Sequence, residues 1–308
     1  MALQAFLARL GQEIDDPEEE SFLLFSQSIP SQNLGFVDSK ATTLELTVGD
    51  RDLVIHQSPT ILSSNRGGGT TGAVVWKITP RFASWIASPS NLLFKTAILA
   101  PNSSLLELGC GISGIIGLAL SPHVASYVLT DQQYVMKLLN QNLEENHQAK
   151  PRLASKGQKR MANPKKGSAS INKSQVTNNN IVTQTLDWET DEVTIPPALE
   201  GKSGFEAVIA CDCIYNDNLI KPLVQTCVDA CKLRHGIAHT ADDVGNPTVC
   251  IVAQQLRSAE VFEGWLKEFH KAFRVWRIPD EELIDGLKSD SGFVIHVGIL
   301  RSNLDTCT

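Results

Sequence analysis

No stretch of this 308-residue sequence reaches the roughly 18 continuous apolar residues that a bilayer-spanning helix needs, which excludes a helical membrane span and predicts no membrane partner. The first twenty residues lack a basic start, an apolar middle and a small-residue cleavage site. Six acids fall between Glu13 and Glu20, so no secretory leader is expected. Cysteine is sparse. Seven is an odd number, in a chain too large for a disulfide scaffold, and free thiols in an intracellular setting are expected. Excess positive charge is missing too: 27 Lys and Arg stand against 34 Asp and Glu, for a net charge of -7, which disfavours a uniformly basic nucleic-acid binder. There is no internal repeat and no convincing metal cluster. The seven histidines are dispersed, and Cys227-x-x-x-Cys231 has no matching second pair and fits one-face packing of a helix. What remains is an ordinary globular composition, 42% hydrophobic and 20% charged, long enough for one full core or two modest ones.

The charge is unevenly spread. Residues 147–180 hold eight Lys or Arg and no acid, leaving -15 for the rest of the chain. Rich in Lys, Ser, Asn, Gly and Pro, this segment reads as a flexible insertion. It is either a tolerated surface loop or a contact for RNA or an acidic partner surface. The pattern predicts an N-terminal extension over 1–69, with a short helix carrying Phe6, Leu7 and Leu10, an acidic turn, and a hairpin over 42–57 around Gly49-Asp50. Residues 59–69 read as loop. Residues 70–87 read as a helix with Val74, Val75, Ile78, Phe82 and Trp85 on its apolar face, kinked or divided at Pro80. From 104 onward strands alternate with helices: strands at 104–108, 124–130, 181–186, 207–211 and 248–254, then two final strands at 273–278 and 293–300 around a short acidic helix. That alternation predicts an α/β domain over 70–308 with a mostly parallel sheet and an antiparallel edge at its C-terminal end.

The string Gly109-Cys110-Gly111-Ile112-Ser113-Gly114 follows a strand and opens a helix. Glycines there allow a tight turn and close backbone approach to a ligand, and helix N-terminal amides can face a negative group. Asp131 ends the next strand, 20 residues after Gly111, where an acid accepts hydrogen bonds from ribose hydroxyls. This geometry serves NAD or S-adenosylmethionine equally. Glu107 is an acid inside the apolar run Leu105-Leu106-Glu107-Leu108 and needs a partner. Its place suits a bond to backbone amides or to a ligand's amino-acid end. Cys110 has no base at a readable spacing, so a nucleophilic role is not expected.

Leu106-Glu107-Leu108-Gly109-Cys110-Gly111 resembles the first motif of the seven-strand, S-adenosylmethionine-dependent methyltransferases, and Asp131 matches their ribose-holding acid. More narrowly, Asp212-Cys213-Ile214-Tyr215 resembles the Asp-x-x-Tyr motif of the group that methylates lysines of non-histone proteins. Gly72 to Trp76 and Leu186-Asp187-Trp188 match two further features of that group. Ser113 to Leu118, Thr130-Asp131-Gln132 and the long insertion resemble its fungal ribosomal-protein members most. The likeness runs from about residue 70 to residue 300.

The resemblance implies a Rossmann-like seven-strand fold, S-adenosyl-L-methionine as cofactor, and methylation of a lysine on a large-subunit ribosomal protein by a monomeric enzyme in the cytoplasm or nucleus. It implies cofactor binding by Trp76, Glu107, Gly109, Cys110, Gly111, Asp131, Trp188 and Cys211, and catalysis by Asp212 and Tyr215. Asp212 would orient the cofactor or attract the substrate ammonium. Tyr215 would wall the site and hydrogen-bond the amine. Trp76 also fits simple packing with Ile78 and Phe82, Trp188 also fits ordinary burial, and Asn216-Asp217-Asn218 reads as a helix cap. The competing readings are a dehydrogenase, an RNA or small-molecule methyltransferase, and a noncatalytic binding protein. Asp-Cys-Ile-Tyr lacks the two prolines common after the fourth strand of amino-methylating nucleic-acid enzymes.

Overall fold

The computed structural model describes residues 2–30, 35–64, 69–146, 180–202, 204–234 and 246–301. The basic insertion, apart from Asn180, lies outside them.

Two strands, β1 (Thr43–Val48) and β2 (Arg51–His56), form an antiparallel hairpin closed at Gly49-Asp50. The main sheet has seven strands: β3 (Ser104–Leu108), β4 (Ser126–Asp131), β5 (Ile181–Thr185), β6 (Ala207–Cys211), β7 (Val249–Gln255), β8 (Phe273–Arg277) and β9 (Phe293–Leu300). Their order is β5-β4-β3-β6-β7-β9-β8. The first five in that order are parallel, while β9 runs antiparallel to both β7 and β8. The reversed C-terminal strand therefore sits one place in from the edge, and β8 takes the edge itself.

Strands β3, β6, β7 and β9 are buried along their whole length, as expected of near-continuous apolar runs covered on both faces. Alternation along them separates two cores. Leu105, Ile209 and Ile251 point toward the core shared by α4 (Ile78–Ile86), α5 (Leu92–Lys95), α6 (Ile115–Leu120), α7 (Gln133–Asn146) and the hairpin. Leu106, Val208 and Val252 point toward α2 (Pro17–Phe25), α8 (Asp217–Lys232) and α9 (Ala259–Ala272). Each fully buried Leu, Ile or Val contributes roughly 1.5–3 kcal/mol.

Three local expectations are corrected. The acidic stretch after α1 (Ala2–Leu10) is not a turn but the start of α2. The Asp16 carboxylate accepts from the amides of Glu18 at 2.8 Å and Glu19 at 3.3 Å, Pro17 takes the first helical position, and acids in the first turn suit the helix dipole. The segment after the hairpin is not wholly loop, because Ser58 caps a short helix, α3 (Pro59–Leu62). Residues 70–87 are not one helix. A 3₁₀ turn at Thr71–Ala73 is followed by extended backbone at Val74, and Trp76 bridges Phe36 before α4 begins. Pro80 is the third residue of α4, where its missing N–H has no helical partner to lose.

The hairpin is stitched to the sheet domain by two asparagines of α7. Asn146 accepts from the Val54 amide and donates to the Val54 carbonyl. Asn142, wholly buried, accepts from the His56 amide and donates to the carbonyls of His56 and Ile112. One side chain thus ties β2 to the glycine turn. Asn142→Ala strands three backbone groups in a dry site. It should lower stability by about 2–3 kcal/mol, read as a drop in the urea midpoint at unchanged slope.

Candidate active site

A cavity opens at the C-terminal ends of β3, β4 and β6, with about 860 Å³ of empty space when the open solvent at its mouth is included. Ligands of open α/β sheets bind at such strand ends. Its lining brings together all ten residues singled out from the sequence: Trp76, Glu107, Gly109, Cys110, Gly111, Asp131, Trp188, Cys211, Asp212 and Tyr215.

The glycine turn forms the floor. Gly109 and Gly111 have φ of +67° and +62°, a conformation side chains rarely adopt. A Cβ on Gly109 would lie 2.8 Å from Cys213 Sγ and 3.0 Å from the Trp188 ring, so β6 and the Trp188 loop press directly on the turn. Three amides of the turn do not face the cavity as free donors. The Cys110 amide donates to the Thr130 carbonyl, that of Gly111 to Asp131 Oδ2, and that of Ile112 to the Gly72 carbonyl. Helix α6, six residues long, follows only at Ile115.

Asp131 binds the amides of Gly111 at 2.8 Å and Gln132 at 2.7 Å. Burial outweighs those two bonds and, with Asp187 nearby, lifts its carboxyl to about 6. Glu107 finds its partner in the Tyr127 hydroxyl, which donates to Oε2 at 2.7 Å, rather than in a backbone amide. Burial, opposed by that bond and helped by Asp131, lifts Glu107 to about 8. The thiols of Cys110, Cys211 and Cys213 are pushed well up, first by burial and then by the neighbouring carboxylates, which keeps them un-ionised. The six described cysteines are all free, and among the described residues no group of three or more His, Cys, Asp or Glu is arranged to hold a metal ion.

Asp212 has φ +61°, one of two non-glycine residues with positive φ among those described. Its carboxylate is gripped by the fork of Arg257, Nη1 to Oδ1 at 2.8 Å and Nη2 to Oδ2 at 2.6 Å. It is therefore not a free anion at the cavity wall. Tyr215 stands at the mouth, 37% exposed. Burial of its ring raises the phenol, opposed by a hydrogen bond with the Thr71 side chain, so the hydroxyl stays protonated at neutral pH. Trp76 lies before α4 rather than on it. Its Nε1 donates to the Thr71 carbonyl, and Phe36 packs on its ring at 4.4 Å. Asn216 caps α8 by accepting from Asn218, which leaves Asp217 a first-turn acid.

Sequence reasoning quoted Ser113, Gln132 and Asp187 of the lining within motifs but gave them no role, and it passed over Thr71 and, behind the lining, Arg257. Gln132 donates to Asp187 across the two loops at 3.0 Å. The available signal for Arg257 was its position two residues past β7, before the Ser258 cap of α9.

The profile of a family described as lysine methyltransferase matches residues 55–160 and 158–241. A fission yeast (Schizosaccharomyces pombe) protein called diaminohydroxyphosphoribosylamino-pyrimidine deaminase is 29% identical over 271 residues, covering 88% of this chain but only 55% of that protein. The ribosomal lysine N-methyltransferase 5 of Zygosaccharomyces rouxii is 32% identical, covering 67% of this chain and 66% of the relative. The protein of the same name from Vanderwaltozyma polyspora is 25% identical and covers 91% and 94%. Among solved structures, a putative methyltransferase from Streptococcus mutans superposes with a TM-score of 0.43 at 9% identity, over 84% of this chain and 56% of that one. The chain thus spans about half the length of the fission yeast relative.

The Glu107 carboxyl generates a prediction on stability. An acid raised in the folded state stabilises the fold fully below its unfolded value, near 4.5, and that contribution is lost as pH rises through about 8. The wild-type protein should therefore lose stability on the order of a few kcal/mol between pH 5 and pH 9 from this group. Glu107→Gln keeps the shape and removes the titration, so its urea midpoint should change less over that range and be at least as high as wild type at pH 9.

Proposed function

The chain belongs to the lysine methyltransferase family, and on that premise we propose that it transfers a methyl group from S-adenosyl-L-methionine to a lysine side chain of a ribosomal protein, one of the large subunit. The observation that carries this reading is the acidity of the cavity: Glu107, Asp131, Asp187 and Asp212 line it, Asp212 being paired with Arg257 behind the wall, and no Lys, Arg or His is among the described lining residues. Such a wall suits cations, and both the cofactor, with its sulfonium and ammonium, and the incoming lysine are cationic.

The residues fit that cofactor. Asp131 keeps acceptor capacity for ribose hydroxyls beside its two amide bonds. Glu107, buried with only a hydroxyl as its hydrogen-bond partner, suits the ammonium end. Trp76 and Trp188 supply aromatic walls, and the backbone of Gly109, Cys110 and Gly111, with Cys211, closes the floor. When bound, S-adenosylmethionine supplies an electrophilic methyl group. A dinucleotide fits less well. Its pyrophosphate needs donors or cations, whereas three amides of the turn are engaged and the lining holds acids.

The chain's own work is to present a neutral amine. A free lysine titrates near 10.4, and a dehydrating mouth lowers that value. Tyr215, protonated and steadied by Thr71, offers its oxygen to an amine N–H and aims the lone pair inward, while the proton leaves to water. Asp212 lies at the base of the same turn. The eight basic residues within 147–180 suit an RNA or acidic surface near the target, a contact consistent with a ribosomal substrate met in the cytoplasm or nucleus.

The test is methylation of an extract from cells lacking this activity, with isotope-labelled S-adenosylmethionine and mass spectrometry of the labelled species. Label on a ribosomal-protein lysine is expected; label on RNA or on small molecules only would refute the reading. In the same assay Tyr215→Phe should keep the fold and cofactor binding but slow single-turnover transfer on the order of ten- to a hundredfold, a loss of about 1.4–2.7 kcal/mol of transition-state stabilisation. An undiminished rate would remove Tyr215 from the lysine site.

A further inference from the structure

Arg257 does not line the cavity, yet it joins two of its walls. Its guanidinium makes a two-pronged pair with Asp212, whose side chain is 1% exposed. Nη2 also donates to Gln255 Oε1 at 2.9 Å. The face of the guanidinium lies 4.8 Å from the centre of the Trp76 ring. Gly35 covers it from outside, since a Cβ there would fall 2.4 Å from Nη2, and the Gly35 carbonyl accepts from the Lys77 amide. Contacts run in a chain. Asp212 binds Arg257, Arg257 packs over Trp76, and Trp76 donates to the carbonyl of Thr71, which lines the same cavity as Tyr215, three residues beyond Asp212.

Two features need this arginine. Asp212 holds a left-handed backbone that a non-glycine residue adopts only when its surroundings impose it. The imposing groups are the Ala253 carbonyl, which accepts the Asp212 amide at 2.7 Å, the Gln255 amide, which donates to Oδ1 at 3.3 Å, and the planar fork on its carboxylate. A fork matches a carboxylate in a way an ammonium does not. Trp76 also precedes its helix, held by the pairing of its segment with Gly35, Phe36 and Val37 and by its indole bond to Thr71, and the guanidinium covers its ring.

We propose that Arg257 is a positioning residue for methyl transfer: by clamping Asp212 and stacking on Trp76 it sets the turn that aims Tyr215 at the incoming amine. This rests on the lysine-methylating reading given above. It also gives Asp212 a different task from attracting the substrate. The carboxylate is neutralised from behind and works through the backbone it holds.

The experiment compares wild type with R257M, R257K, D212N and the double variant R257M/D212N. Each is assayed by single-turnover methylation at saturating cofactor, by KM for the protein substrate, by calorimetric titration with S-adenosylhomocysteine, and by hydrogen exchange of amides 212–216 in the free protein. R257M should slow transfer on the order of ten- to a hundredfold, with KM and S-adenosylhomocysteine affinity within about threefold of wild type. R257K should recover only part of the rate, because one ammonium cannot replace the fork. The double variant should be no slower than R257M, because the two residues act as a unit. Exchange at 212–216 should quicken in R257M. A wild-type rate in R257M, additive losses in the double variant, or unchanged exchange would each overturn the proposal. If R257M fails to fold, the loss of rate in R257K gives the same reading. If wild type methylates no protein while exchange in R257M still quickens, the functional reading fails and the clamp stands.

Discussion

Four carboxylates share the wall of one cavity, and the described lining holds no cation; Arg257, behind the wall, answers Asp212 alone. That constraint orders most of the site. Burial in a poorly hydrated space, helped by the neighbouring carboxylates, favours protonation, hence the lifted carboxyls of Glu107 and Asp131. The same space keeps the three nearby thiols un-ionised. Only Asp212 escapes, by turning its carboxylate away to Arg257. What is left facing inward is an acidic lining with aromatic sides, suited to a cationic guest.

The fold delivers those acids by topology. Glu107, Asp131 and Asp212 each stand at the C-terminal end of a parallel strand or one residue past it, and Asp187 follows a fourth strand. Parallel pairing puts all four ends on one edge of the sheet. The turn at 109–114 must then cross that edge with almost no side-chain volume, and Asp131 fixes it by binding the Gly111 amide. Asn142 fixes it from the other side through Ile112 while holding the hairpin. The hairpin thereby shares a core with the sheet domain, through Leu53 and Ile55.

Strands β3, β6 and β9 were legible to the residue, because continuous apolar runs bounded by Gly, Asp or polar residues leave little choice. Glu107, Asp131 and Asp212 were legible for the same reason: each interrupts, ends or directly follows an apolar run. The break before α4 was not, because Val74, Val75, Ile78, Phe82 and Trp85 fit a helical spacing, while an extended segment over 74–76 depends on its pairing with Phe36 and Val37, distant in sequence. Helix α2 was missed because a run of acids looks like a solvated turn unless the Asp16 cap and Pro17 are weighed together. Arg257 was invisible for a related reason. An arginine in a strand-to-helix connection is ordinary, and its importance comes from a carboxylate 45 residues away. Pairwise chemistry across long separations leaves no local periodicity to read.

The central claim is that the acidic cavity accepts a cationic cofactor. It is tested most directly by counting protons on binding. Titration calorimetry with S-adenosylhomocysteine at pH 7, repeated in buffers of different ionisation enthalpy, measures protons released per site. Glu107, held near 8, is mostly protonated before binding and ionises against the ligand ammonium, so release of roughly one proton is expected. Binding with no proton release, or with proton uptake, would contradict the account.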